Sequence, residues 1–199
     1  SSGIGKAYAY LFAERGHNII ILARSEDKLT EMQKDISSKH DVEVKVLVQD
    51  LAEVGAAQKV FDAIGEDEFV EILVNNAGLG VYGYYHESDL KRINTVMSVN
   101  MVALAELTRL FAARMAEQGG GKILNTASIA AFTPGPFLSL YYATKAFVLS
   151  FSESLSNELK DFNISVTALC PGYTETGFVK AANIEGVAGG EDIKGATPM

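Results

Sequence analysis

Short apolar runs without polar interruption alternate along this chain with stretches whose apolar positions recur every three or four residues. Residues 18–22 (NIIIL) form the first run, the pattern of a strand covered on both faces in a parallel sheet. Helical spacing follows in Lys28, Leu29, Met32 and Ile36. Residues 42–48 (VEVKVLV) then alternate, which predicts a half-exposed strand near a sheet edge, and residues 53–65 return to a helical pattern. Residues 71–74 give another apolar strand that runs straight into Asn75, Asn76, Ala77 and Gly78. A helix from about Leu90, broken near Asn100, carries apolar residues at 99, 102, 104, 107, 110, 111 and 115 before the stop signal Gly119, Gly120, Gly121. Residues 122–126 read as a strand, and a helix starting near Tyr141 places Phe147, Phe151, Leu155 and Leu159 on one stripe expected to face the core. Residues 164–170 alternate as a last strand, closed by Pro171 and Gly172.

Five strands alternating with helices predict an α/β fold, a doubly wound parallel sheet, and 199 residues fit one domain with a sizeable core. Ligands of such sheets bind beyond the C-terminal strand ends. Arg24, Asp50, Asn76, Ser128 and Pro171 all fall there, which points to a nucleotide site. At the start of the chain Ser2, Gly3, Ile4 and Gly5 make a glycine turn that feeds a helix running through Ala7, Leu11 and Phe12. A helix N-terminus offers free backbone N–H groups and a positive dipole end, so it suits a phosphate. A glycine turn of this kind should follow a strand, so the natural chain is expected to begin before Ser1. Residues 173–199 are glycine-rich and are expected to form a mobile lid over the substrate.

The segment 128–145 (SIAAFTPGPFLSLYYATK) carries the candidate chemistry. Tyr141 and Lys145 are four apart and share a face of the predicted helix. A free tyrosine titrates near ~10, and a neighbouring ammonium lowers that value. Tyr141 is then a candidate general acid or base, with Ser128 fixing a carbonyl or hydroxyl oxygen beside it. Such a trio suits alcohol–ketone interconversion, provided that a hydride carrier sits alongside.

Composition narrows the alternatives. Apolar residues make up 48% and charged residues 21%, as in a soluble globular protein rather than a disordered one. The net charge of −8 and the lack of a lysine or arginine cluster argue against nucleic acid as a partner. A single cysteine, Cys170, and scattered His17, His40 and His86 leave no internal disulfide and no metal-ligand spacing, so a reducing cytoplasm is the expected compartment. No uninterrupted apolar run reaches the roughly eighteen residues of a membrane span, and no membrane partner is expected.

Taken together these residues resemble the short-chain dehydrogenase/reductase superfamily, with its Rossmann-type fold and NAD or NADP cofactor. Residues 1–5 (SSGIG) look like the tail of its TGxxxGIG fingerprint, and residues 75–78 match its NNAG element. Asn100, Ser128, Tyr141 and Lys145 match its catalytic four in order, and Pro171, Gly172 and Thr176 match PG-x-x-x-T. Within the superfamily, residues 140–155 and 169–178 look most like bacterial oxidoreductases of broad or unassigned substrate.

The resemblance implies Tyr141 as acid/base, Ser128 as oxygen anchor, and Lys145 as the group that lowers the tyrosine pKa and holds the nicotinamide ribose. Asn100 would hold a water for proton relay. Tyr142 is the competing phenol, at i+3 from Lys145, and the motif selects Tyr141. Members preferring NAD usually carry an acid at the end of the second strand, where this chain has Ala23 followed by Arg24 and Ser25. A cation and a hydroxyl suit a 2′-phosphate, so NADP(H) is expected over NAD(H). Asp50 and Leu51 would flank the adenine, Asn76, Ala77 and Gly78 would line the cofactor, and Thr174 stands near the expected carboxamide.

The superfamily's first strand, central in its sheet, and its last strand have no counterpart here, so extension at both ends is expected. Aromatic and apolar residues Tyr82, Tyr84, Tyr85, Phe132, Phe137, Leu138 and Phe178 are expected around a pocket for a small, fairly apolar carbonyl or secondary alcohol. Assembly as a homodimer or homotetramer is expected through helices holding residues 99–118 and 141–160. A nucleotide-binding regulator with an idle site, or a purely structural component, remain the alternatives.

Overall fold

The apolar runs become five parallel strands in the computed structural model, which describes residues 2–174. They are β1 (Ile19–Ala23), β2 (Val44–Val48), β3 (Ile72–Asn75), β4 (Gly121–Thr126) and β5 (Ile164–Leu169). The helices are α1 (Gly3–Glu14), α2 (Glu26–Lys39), α3 (Ala56–Ile64), α4 (Leu90–Met97), α5 (Leu104–Glu117) and α6 (Ser139–Glu158). β1 pairs with β2 from Ile19↔Val44 to Ala23↔Val48. β3, β4 and β5 form a second parallel ladder with β4 in the middle.

Side chains of a strand point alternately to its two faces. In β1, Ile21 packs with Ala9 and Ala13 of α1 and Leu29, Met32 and Ile36 of α2. Ile20 and Leu22 turn the other way, toward Ala57, Val60 and Ile64 of α3 and Leu107 and Phe111 of α5. Both faces are covered, which is why this strand reads as unbroken apolar sequence. The second of these clusters also takes in Leu47 of β2 and Leu73 of β3, so one apolar core joins the two ladders. Phe111 is 1% exposed, and burying such a side chain contributes about 1.5–3 kcal/mol. Its ring meets Phe61 edge-on at 5.2 Å, and the Arg114 guanidinium lies 4.0 Å over Phe61.

The break expected near Asn100 takes the form of a π turn. Residues Ser98–Ala103 adopt the wider winding between α4 and α5, and the helix continues without interruption from Leu90 to Glu117. Its length and hydropathy would suffice to cross a membrane, yet half of its apolar stretch is buried inside the protein, as in a core helix. Gly119 and Gly120, at φ 89° and 145°, end it and turn the chain into β4.

The stripe expected on α6 does pack against the core, Phe147 and Phe151 against Leu104, Ala127 and Val148, and Leu159 against Met115 and Ile164, but it is not the most buried face. Phe147 and Phe151 stack on each other at 5.4 Å but are only half-buried, and so are Leu155 and Leu159. The fully buried face instead carries Thr144, Lys145, Val148 and Ser152. Polar residues occupy that face because each hydroxyl or ammonium there finds a partner across the site.

Candidate active site

Beneath the C-terminal strand ends runs a row of buried amides and hydroxyls. Asn75, the last residue of β3, donates to Thr108 Oγ1 at 3.0 Å and to Asn125 Oδ1 at 2.9 Å. Asn125 on β4 donates in turn to Ser152 Oγ at 3.0 Å, and Ser152 donates to the Val148 carbonyl. This row ties α5, β3, β4 and α6 at one level. A buried polar group left unpaired costs about 1–3 kcal/mol, so the row constrains all four elements together.

Three residues beyond Asn125, the chain leaving β4 brings in Ser128, and α6 supplies Tyr141 and Lys145. Ser128 is extended and 8% exposed, and its Oγ accepts the Ala130 N–H at 3.1 Å. Its own proton is not used in that bond, and the hydroxyl stands close enough to the Tyr141 phenol to lower its pKa. Lys145, one turn along α6, is 4% exposed; its Nζ donates to the Thr126 carbonyl at 2.6 Å and stands 5.8 Å from the Tyr141 ring centre. Tyr142 meets the Tyr141 ring edge-on at 6.2 Å, and its own ring packs so closely on Gly135 that a Cβ there would sit 2.3 Å from it.

The electrostatics depart from the expectation that the ammonium makes the phenol acidic. Burial is the largest influence on Tyr141 and raises its pKa above 10.0; the Ser128 hydrogen bond lowers it less, and Tyr142 adds a smaller upward push. Burial likewise pulls Lys145 down to about 8, opposed in part by Cys170. At neutral pH the phenol is thus held protonated, the form that donates.

Asn100 is 1% exposed within the π turn. Its Oδ1 accepts the Leu79 N–H at 2.8 Å, and its Nδ2 donates to the Leu79 carbonyl and to Thr144 Oγ1, both at 2.9 Å. Both amide hydrogens of Asn100 thus have partners within the protein. What the side chain does here is pin the loop after β3 to α6. Gly78 passes under this arrangement, where a Cβ would lie 3.4 Å from Lys145 Nζ and 3.8 Å from Asn100 Oδ1.

The remaining nucleotide-site residues surround the same strand ends. Ser2 precedes α1 in extended conformation with no side-chain cap, Gly3 adopts φ 54°, and no acidic residue stands in the first turn. Ile4 is half-buried, and Gly5 faces Asn76 so closely that a Cβ would sit 2.7 Å from its Nδ2. Asn76 Oδ1 accepts from Thr126 Oγ1 at 3.3 Å, while Ala77 is exposed. Bare backbone, an uncapped helix start and a cradle that only glycine leaves open fit a dinucleotide pyrophosphate.

Arg24 is exposed, 3.9 Å from Asp50 Oδ2, and Ser25 caps α2 without a side-chain bond. Glu26 and Asp27 occupy the first turn of α2. Leu51 packs into the core beside β2, and Asp50 Oδ1 accepts the Ala52 N–H. The Pro171 carbonyl accepts the Ile129 N–H at 3.1 Å, which links the loops after β4 and β5. Gly172 is exposed and accepts from Thr174 Oγ1. Thr176, Phe178 and nearly all of the expected lid lie outside the described residues.

Sequence reasoning passed over Thr126, whose carbonyl holds Lys145, and Thr144, which holds Asn100. Their only signal was adjacency to Ser128 and Lys145. Asn75 and Asn125 were visible as polar residues ending apolar strands, a pattern that marks a buried hydrogen-bonded pair.

This geometry coincides with the outcome of comparison with known proteins. A family model described as short chain dehydrogenase matches residues 1–185, and the chain belongs to that family. Among curated relatives, very-long-chain 3-oxoacyl-CoA reductase-B of Danio rerio is 37% identical over 181 residues, 88% of this chain and 58% of the relative. The chain thus spans a little over half the length of the curated relatives it matches. A short-chain dehydrogenase from Sphingobium yanoikuyae in complex with NADPH superposes with a TM-score of 0.92 at 32% identity, covering 99% of this chain and 76% of the other. A bulky-bulky ketone specific alcohol dehydrogenase from Comamonas testosteroni gives 0.84 at 35% identity, covering 87% and 70%.

Proposed function

We propose that this chain reduces the carbonyl of a small, fairly apolar substrate with NADP(H), or runs the reverse oxidation of a secondary alcohol. The observation that carries the reading is the Ser128 hydroxyl acting on the Tyr141 phenol, with the buried Lys145 ammonium 5.8 Å from the centre of the phenol ring. A substrate oxygen placed between them accepts a hydrogen bond from Ser128, whose Oγ is already oriented by Ala130. Tyr141, kept protonated by burial, then gives its proton to that oxygen as negative charge develops. Lys145 stands ready to hold the nicotinamide ribose, and the N–H groups at the start of α1 to hold the pyrophosphate. The bound NADPH would supply the hydride.

The cation and hydroxyl of Arg24 and Ser25 suit a 2′-phosphate and so support NADP(H); the NADPH complex of the similar Sphingobium protein supports that choice. Its test is turnover of NADPH against a panel of ketones and aldehydes. Tyr141→Phe is expected to abolish turnover while leaving NADPH affinity within about twofold, because it removes the hydroxyl that donates the proton and keeps the ring. Arg24→Ala is expected to cut the preference for NADPH over NADH by roughly tenfold, the worth of one charge-assisted contact. A fully active Tyr141→Phe enzyme would overturn the assignment.

A further inference from the structure

From the geometry we infer that Phe137 is the specificity-determining residue of this site, its ring forming an aromatic wall that receives the apolar substituent of the ketone. The inference rests on the carbonyl-reductase reading and adds the residue that selects the substrate. Phe137 adopts φ 65°, left-handed backbone that disfavours any residue with a Cβ. Glycine would take this conformation freely, yet the chain carries a large ring there.

Among the described residues that ring is engaged by two tyrosines and leaves part of its surface exposed. Its centre lies 5.9 Å from Tyr82 and 5.2 Å, edge-on, from Tyr84, both in the loop after β3. The backbone repeats the link, since the Phe137 carbonyl accepts the Gly83 N–H at 2.9 Å. Phe137 itself belongs to the loop after β4, one turn ahead of Tyr141 on α6. The latch therefore joins the two loops that leave the ends of β3 and β4, the strands that deliver Asn76 and Ser128.

Phe137 remains 44% exposed and Tyr84 59% exposed, with Phe132 at 64% on the same β4 loop. Apolar surface gathered in this way, on the two loops that leave the strands leading to Asn76 and Ser128, marks where a ligand is received. None of these rings is charged, so the group they take is neutral and apolar, aryl or extended alkyl.

Phe137→Gly removes the ring while easing the backbone, and unchanged NADPH affinity verifies its fold. Methyl ketones from 2-butanone to 2-undecanone, with propiophenone, serve as probes. The wild type is expected to gain kcat/KM with apolar size. Phe137→Gly is expected to lose about tenfold on propiophenone and the longest ketone, the share of a phenylalanine's transfer free energy that a half-exposed ring can recover, and under about twofold on 2-butanone. Equal loss across the series, or none, overturns the inference. If the wild type reduces no ketone, the reductase reading is what fails. Retention of propiophenone by the NADP-loaded proteins in equilibrium dialysis then decides the wall separately: weaker retention by Phe137→Gly upholds it, and equal retention overturns it.

Discussion

Replacing Lys145 by methionine should change how stability depends on pH, with a sign fixed by the burial of the ammonium. Lys145 is 4% exposed, and its pKa falls from 10.5 to about 8 because burial disfavours the charge. Below about pH 8 the side chain is protonated in the folded and the unfolded chain alike, and the difference between wild type and variant is flat. Between about 8 and 10.5 the unfolded chain keeps a proton that the folded chain has released. The unfolded state then binds more protons, so wild-type stability rises with pH relative to the variant. The gap from 10.5 to about 8, at about 1.36 kcal/mol per pH unit, is worth about 3 kcal/mol across the window. Methionine also leaves the Thr126 carbonyl without its 2.6 Å donor, a cost of about 1–3 kcal/mol that does not vary with pH. Urea unfolding of both proteins from about pH 7 to about pH 10.5 separates the two effects, since the constant offset cancels in the slope. A difference that stays flat through the window, or falls, refutes the reasoning.

Other substitutions probe the cradle and the buried row. Gly5→Ala puts a methyl group 2.7 Å from Asn76 Nδ2; the overpacking should weaken NADPH binding by about tenfold, read by fluorescence titration, with little change in the melting temperature. Asn125→Leu strands the Asn75 donor and the Ser152 hydroxyl, and chemical denaturation should show a loss of about 2–4 kcal/mol with a lower unfolding midpoint.

The strands were legible because a doubly covered parallel strand must be apolar on both faces, as β1 is. The site residues were legible as a shared placement at strand ends, and the structure brings Ser128, Tyr141, Lys145, Asn76 and Gly78 together there. What the sequence concealed was partnership. Phe147 and Phe151 have the spacing of a core stripe, but Thr144, Lys145 and Ser152 are buried instead because Asn100, Thr126 and Asn125 wait opposite them. Periodicity counts hydrophobicity and has no access to a hydrogen-bond partner from a distant segment. The phenol's acidity was hidden for a similar reason: the i+4 lysine is evident in the sequence, whereas the desolvation that outweighs it depends on what surrounds the ring.

The row from Thr108 to Ser152 gives the molecule two zones of unequal tolerance. Every side chain in the row is both donor or acceptor and buried, so almost any replacement there disturbs a neighbour. The rings of Tyr82 and Tyr84 each meet that of Phe137 with no side-chain hydrogen bond between them among the described residues, so each can be exchanged without stranding a polar partner. New appetites can thus arise at the rim by drift while the foundation stays as it is.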